Sequence, residues 1–331
     1  MASTGRDRVT CWLLDTRSIW PGTNIAEAAS DELDLVSQAE QDDIKKKFRI
    51  QDARMSLGSA LLKRLFVAKS LGIPWSKIKF SRKGDPKHGK PCYIADDGIN
   101  AIEFNISHQA GLVALVGCDI QDLQLGVDIV CVNERDEYRT INSEGFEGHT
   151  EIFQDIFSSD ETHDMTYKAD TFQLPDGTEI TPSMLGPDER CTKPHRQLSA
   201  EIQTGEKKRF DSKLLIDAKL RRFYTFWCYK EAYIKLTGEA LLASWLKQLE
   251  FKNVRAPRSA AHEPWGEIVK DAETWLHGKK LDDVALQIQA FEKNFMISVA
   301  AKPSGLLPKE QIPSFTTLHL ENDIVDFAQN A

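Results

Sequence analysis

Two stretches of sustained helical periodicity set the frame into which the rest of this chain must fit. From about Asp52 to Leu71 the apolar residues Met55, Leu57, Leu61, Leu62, Leu65, Phe66 and Ala68 recur at helical spacing, and Gly72-Ile73-Pro74 stops the run. A second long helix is predicted from about Asp211 to Thr237, with Ile216, Leu220, Phe223, Trp227 and Ile234 on one stripe. Short strand-like runs accompany each helix. TCWLLDTR (10–17), IKFS (78–81), two runs in AIEFNISHQAGLVALVGC (101–118) around a polar centre at Asn105–Gly111, and LQLGVDIVCV (123–132) go with the first. LEFKNV (249–254), VALQIQAF (284–291) and NFMISVAAK (294–302) go with the second. The last two alternate as a half-buried antiparallel pair turning at Glu292-Lys293. An ancient duplication would fit this pattern, although no clear internal repeat survives. Function would sit where the halves meet, near Gly126–Asp128.

Between the halves the character changes. Residues 133–208 are polar and turn-rich; IFQDIF (152–157) reads as a short helix and 174–197 as a loop insertion or a disordered segment. The tail after Pro303 reads as loosely attached. A hydrophobic content of 41% with 28% charged residues is that of a soluble globular protein. No apolar run approaches the ~20 residues that span a bilayer, and MASTGRDRVT lacks the apolar core of a secretory signal. A cytoplasmic protein with no membrane partner is expected. The six cysteines show no Cys-x-x-Cys and no zinc spacing, so reduced thiols are expected. A net charge of -8 disfavours a nucleic-acid binder. An anionic small ligand would need local basic patches, and KKKFR (45–49) and RKGDPKHGKP (82–91) supply two, although any one such patch is commonly just solvated lysine. Neither a P-loop nor Gly-x-Gly-x-x-Gly occurs.

Three short motifs place polar groups where an apolar core would be expected. WCYKEAYIK (227–235) sets Lys230, Glu231 and Lys235 among aromatics, with Glu231 on the flank of the apolar stripe. A solvated i,i+4 Glu231–Lys235 bridge worth ~0.2–0.5 kcal/mol accounts for the spacing; a metal site with a proton-transfer partner accounts for the semi-buried position as well. In LGVDIV, Asp128 interrupts a Val/Ile-rich strand. It is either an acid on the solvated face of an edge strand or a Mg²⁺ ligand held with Glu231, the ion completing its shell with phosphate oxygens and water. FNISHQAG gathers Asn105, Ser107, His108 and Gln109, which suits either a plain hairpin turn or a phosphate-binding loop.

In order along the chain, GKP (89–91), FNISHQ (104–109), GVDI (126–129) and WCYKEAYIK (227–235) resemble the Sfp-type 4'-phosphopantetheinyl transferases, particularly their fungal and animal members. The resemblance covers roughly 10–132 and 211–300. It implies an α+β fold of two similar, pseudo-twofold-related halves (1–125 and 126–305, then a tail at 306–331) with a cleft between them. It also implies transfer of the phosphopantetheine arm of coenzyme A to a serine of acyl, peptidyl or aryl carrier protein domains, leaving adenosine 3',5'-bisphosphate. By position, Asp128 and Glu231 match Mg²⁺ ligands (Mn²⁺ as a substitute), and Glu231 also matches the base. Lys235 matches the pyrophosphate lysine, and His108, with Asn105 and Ser107, the phosphate-binding segment. Arg82, Lys83, Gly89, Lys90 and Pro91 match the nucleotide side, and Lys45, Lys46, Lys47 and Arg49 all stand near enough to serve as the N-terminal basic contact. Many bacterial members carry a third acid where this chain has Val130; Gln109 or a water is the substitute expected. A monomer serving lysine, polyketide and non-ribosomal peptide pathways is implied, the alternative being a non-catalytic coenzyme A or carrier-protein binder of the same fold.

Overall fold

The computed structural model describes residues 8–83, 89–93, 101–187, 193–239 and 243–330. Its body is built from strands β1 (Val9–Asp15), β2 (Glu103–Gln109), β3 (Leu112–Cys118), β4 (Gln124–Cys131), β5 (Leu249–Lys252), β6 (Trp265–Val269), β7 (Ala285–Phe291), β8 (Phe295–Lys302) and β9 (Thr316–Leu318). The helices that matter for the site are α1 (Gln38–Lys45), α2 (Ile50–Leu71), α3 (Tyr138–Glu151), α4 (Ser159–Tyr167) and α5 (Ser212–Thr237). Gly72 and Gly238 close α2 and α5 in the left-handed conformation, which glycine adopts without penalty.

One four-stranded sheet runs β9-β1-β3-β2 and a second runs β6-β7-β8-β4. Helix α2 covers the first, setting Leu57, Leu61, Leu65 and Phe66 against Leu14, Phe104, Val113 and Leu115. Helix α5 covers the second, setting Phe223, Tyr229 and Ala232 against Val130, Ile288, Met296 and Ala300. The opposite faces share a third core, where Leu13, Ala114 and Val116 meet Val127, Ile129, Ile297 and Val299. The expected half-buried hairpin at 284–302 is therefore buried on both faces, because a helix covers one side and the other sheet covers the second. Its loop spans residues 292–294, since Phe291 pairs with Phe295.

Other expectations change as well. The polar centre of 101–118 is not a loop: Asn105, Ser107 and Gln109 lie within β2. The turn is only Ala110-Gly111, both at positive φ (48° and 87°), as a two-residue type I′ hairpin requires. Residues 152–157 form turns after α3 rather than a helix of their own. The 133–208 segment is ordered in its described part, around a small core of Leu174, Ile180, Leu185, Leu198, Phe210 and Leu215. The tail is not loose. It crosses from the end of β8 to the first sheet, adds β9 parallel to β1 through Trp12↔Thr316, and buries Leu318, Leu320 and Ile324 in the α2 core.

β4 crosses α5 closely because residue 126 is glycine. A Cβ there would lie 2.0 Å from the Ala232 carbonyl oxygen and 2.5 Å from the Leu236 nitrogen. Backbone atoms cannot step aside as a side chain does. Gly126→Ala is expected to cost at least the ~1–3 kcal/mol typical of overpacking, read as a lower urea midpoint.

Candidate active site

The close crossing delivers three polar side chains to one place. Asp128 projects from β4 toward α5, which places Glu231 and Lys235 one turn apart. Ser107 projects from β2. Lys235 Nζ lies 2.5 Å from Asp128 Oδ1 and donates to Ser107 Oγ at 2.8 Å; Ser107 Oγ in turn donates to Asp128 Oδ1 at 2.9 Å. Ser107 and Asp128 are buried, and Lys235 is partly exposed. The i,i+4 bridge expected from spacing does not form: Lys235 makes its ion pair with Asp128, across the cleft, and not with Glu231. Burial lowers the proton affinity of Lys235, but the Asp128 charge and hydrogen bond, with Glu231 behind them, outweigh it and hold the ammonium charged.

Glu231 is left half-buried beside Asp128. Burial and then the Asp128 charge push its carboxyl up to about 7, with Lys235 partly opposing. Each contribution has a predicted sign. Asp128→Asn removes a like charge and lowers the Glu231 pKa; Lys235→Met removes a cation and raises it. Carboxyl ¹³C shifts of metal-free protein, assigned with Glu231→Gln, read both directions, and a move of the wrong sign in either would mean that the two carboxyls do not share a site.

His108 is solvent-exposed, yet enough protein surrounds it that lost hydration, followed by Lys235 and Lys47, holds its ring below the usual imidazole range; Asp52 opposes this. That coupling singles out Lys47 among the four basic candidates. Lys45 donates to Gln41 at 3.1 Å, Lys46 pairs with Asp43 at 3.4 Å, and Arg49 lies exposed at the N-terminal cap of α2. On the other candidate segment, exposed Arg82 donates to the Gly89 carbonyl at 2.8 Å, with Pro91 opposite it in a short hairpin. Lys83 pairs with Glu103 at 2.6 Å. Lys90 turns inward: its ammonium is buried against Glu103 and the Leu125 carbonyl, so the structure does not bring it to the cluster. Residues 84–88 of that basic turn lie outside the described residues.

Two amides of β2 are engaged by protein. Asn105 Oδ1 accepts from Val127 N–H and Gln109 Oε1 from Cys131 N–H, both at 3.2 Å, while Gln109 Nε2 donates to Glu134. Val130, where a third acid was looked for, lies in the α5 core. Lys230, which the motif left without a role, is buried in an ion pair with Glu161 of α4 at 2.9 Å. The S-x-x-E pattern at Ser158–Glu161 marks that acid as a capping residue in the sequence, but nothing local marks its partner.

Among the described residues no group of three or more His, Cys, Asp or Glu side chains gathers as a metal cage. Asp128 and Glu231 are hard oxygen donors; burial and then the Asp128 charge raise Glu231, and Lys235 partly offsets them. Such a pair fits a hard divalent cation that takes its remaining ligands from a phosphorylated substrate and water, and does not fit zinc.

Residues 23–120 match the 4'-phosphopantetheinyl transferase N-terminal profile, and 188–289 match that of the 4'-phosphopantetheinyl transferase superfamily. The chain is similar over 97% of both lengths, at 54% identity, to a 4'-phosphopantetheinyl transferase of Aureobasidium melanogenum. It is 34% identical to 4'-phosphopantetheinyl transferase A of Aspergillus fumigatus, over 92% of this chain and 87% of the relative. It is also 34% identical to 4'-phosphopantetheinyl transferase NpgA of Emericella nidulans, over 90% and 83%.

Proposed function

The chain belongs to the 4'-phosphopantetheinyl transferases, and from that premise we propose that the Asp128–Glu231–Lys235–Ser107 cluster is where its transfer reaction takes place. The protein moves 4'-phosphopantetheine from coenzyme A to a serine of a carrier protein domain. The serine Oγ forms a bond to the phosphorus carrying the pantetheine arm. The pyrophosphate P–O bond to the nucleotide breaks, and adenosine 3',5'-bisphosphate leaves with that electron pair. The serine proton goes to Glu231.

The observation that carries this reading is the state of Glu231. In the metal-free protein burial and Asp128 raise its carboxyl to about 7, and Lys235 pairs with Asp128 instead, so Glu231 is the carboxyl free to accept the serine proton; a cation bound to it would lower that value again. Lys235, held charged, and the neutral His108 ring at the rim supply donors for charge that develops on the phosphate oxygens. Ser107 fixes the ammonium and the Asp128 carboxylate relative to one another. Asp128 and Glu231, with the second lone pair of the Gln109 carbonyl oxygen, would hold Mg²⁺ or Mn²⁺. Bound there, the ion would neutralise pyrophosphate charge and orient it. Lys47, Arg49 and Arg82 are the exposed cations best placed for the nucleotide phosphates, and the less favourably placed Lys45, Lys46, Lys83 and Gly89–Pro91 contribute at most to the rim. We assign the halves as 1–125 and 126–305, and the working state as a cytoplasmic monomer; among the described residues no helix is long and apolar enough to cross a membrane.

The reading is tested by incubating the protein with coenzyme A, Mg²⁺ and several apo carrier domains and weighing the intact carriers. One added phosphopantetheine per carrier is the expected result. No mass gain on any carrier would sink the assignment.

A further inference from the structure

The two sheets meet along the edges of β2 and β4, yet no main-chain ladder joins them; each is the outermost strand of its own sheet. Side-chain amides do the joining. Asn105 reaches Val127 N–H and Gln109 reaches Cys131 N–H, so equal steps along the two strands are matched and the edges run parallel in a single register. Between these rungs, Ser107 faces Asp128. A direct ladder would set the backbones ~4.8 Å apart. An amide used as a spacer holds them farther apart and leaves the opening in which the hydroxyl and carboxylate meet.

Asn105 does more than Gln109. Its Nδ2 donates to the Lys235 carbonyl oxygen at 3.4 Å, so one buried amide touches the β2 edge, the β4 edge and the last turn of α5. Those are the three elements that deliver Ser107, Asp128 and Lys235. We propose that Asn105 is a positioning residue of the transfer reaction, whose amide sets the gap between the two sheet edges and the placement of the last turn of α5. The amide oxygen and one of the two Nδ2 hydrogens are engaged within the protein, and the affinity measurement below tests the second hydrogen for a contact to coenzyme A phosphate.

The inference rests on the transferase reading, so wild-type turnover is measured alongside as the check on that reading alone. Coenzyme A affinity is measured by calorimetry without carrier, independently of turnover. Asn105→Ala is expected to lower kcat by about 100-fold, the scale of a small misplacement of reacting groups, with coenzyme A affinity little changed. Asn105→Asp keeps an oxygen for Val127 N–H but loses the donor to the Lys235 carbonyl, so it is expected to recover only part of the lost kcat, with coenzyme A still bound.

A phosphate contact predicts the reverse order, because a carboxylate against phosphate binds worse than alanine. Weaker coenzyme A binding in Asn105→Asp than in Asn105→Ala would overturn the proposal, and so would full activity in Asn105→Ala. If Asn105→Ala does not fold, Asn105→Asp decides: retained affinity with lowered turnover supports the positioning role, and lost affinity or wild-type turnover refutes it.

Discussion

Glu231→Gln is expected to lose about 100- to 10,000-fold in kcat, the range that a positioned general base supplies, while the protein still folds and still binds coenzyme A. Glutamine keeps the shape of the side chain and a carbonyl oxygen but cannot take the serine proton. Stability should not suffer. The wild-type carboxyl is held up to about 7 by burial and by Asp128, so ionising it at higher pH works against the folded state. A neutral amide removes that penalty, and the variant should melt at or above the wild-type temperature at pH 8. Metal affinity should fall, since one of two carboxylates is gone, so coenzyme A binding is best compared in chelator. Turnover measured across a Mg²⁺ titration separates lost metal from lost base: saturating metal recovers the first and not the second. Full activity at every metal concentration would show that the base lies elsewhere.

The sequence made these residues visible but not their pairing. Glu231, Lys235, Asp128 and Ser107 stand out because charge and hydroxyl interrupt apolar runs. Which carboxylate Lys235 meets depends on how closely β4 crosses α5, and that depends on Gly126, whose missing side chain admits the Ala232 carbonyl. Helix spacing alone favours Glu231; the crossing favours Asp128. Lys90 misleads in the opposite direction. It reads as a ligand cation in a basic turn, yet Glu103 and the Leu125 carbonyl draw it inward. The small core of the central segment was hidden because Leu174, Ile180, Leu198 and Phe210 come from separate short pieces with no shared period. The tail was hidden for a related reason. Leu318, Leu320 and Ile324 are too few to form a core, and they are buried only because the first sheet has an open edge beside β1.

The neighbouring position should behave oppositely. Lys230→Met is expected to destabilise the protein by ~3–5 kcal/mol, the usual cost of stranding one member of a buried ion pair. Lys230 and Glu161 are almost wholly buried, 2.9 Å apart, and Lys230 also donates to the carbonyls of Leu246, at 3.2 Å, and Leu249. Glu161 holds the N–H groups of Ser158 and Phe251 as well, so the pair ties α4 and β5 to α5. Burial drives the Glu161 carboxyl up and the Lys230 ammonium down, and each partner's charge pulls the other back. Without Lys230 that restraint on Glu161 is gone, and its folded pKa rises further above the unfolded value. Stability is then lost as pH climbs through that interval, so the deficit should be larger at pH 8 than at pH 5. Lys230→Met combined with Glu161→Gln removes the stranded charge and should recover a large part of the loss, read as urea midpoints of the two single variants and the double. A single variant as stable as wild type would show that the pair contributes nothing net. Below its own melting temperature Lys230→Met should still turn over, because Lys230 faces α4 and β5 rather than Asp128. Adjacent residues on one helix then divide into one whose loss stops the reaction and one whose loss loosens the fold around it.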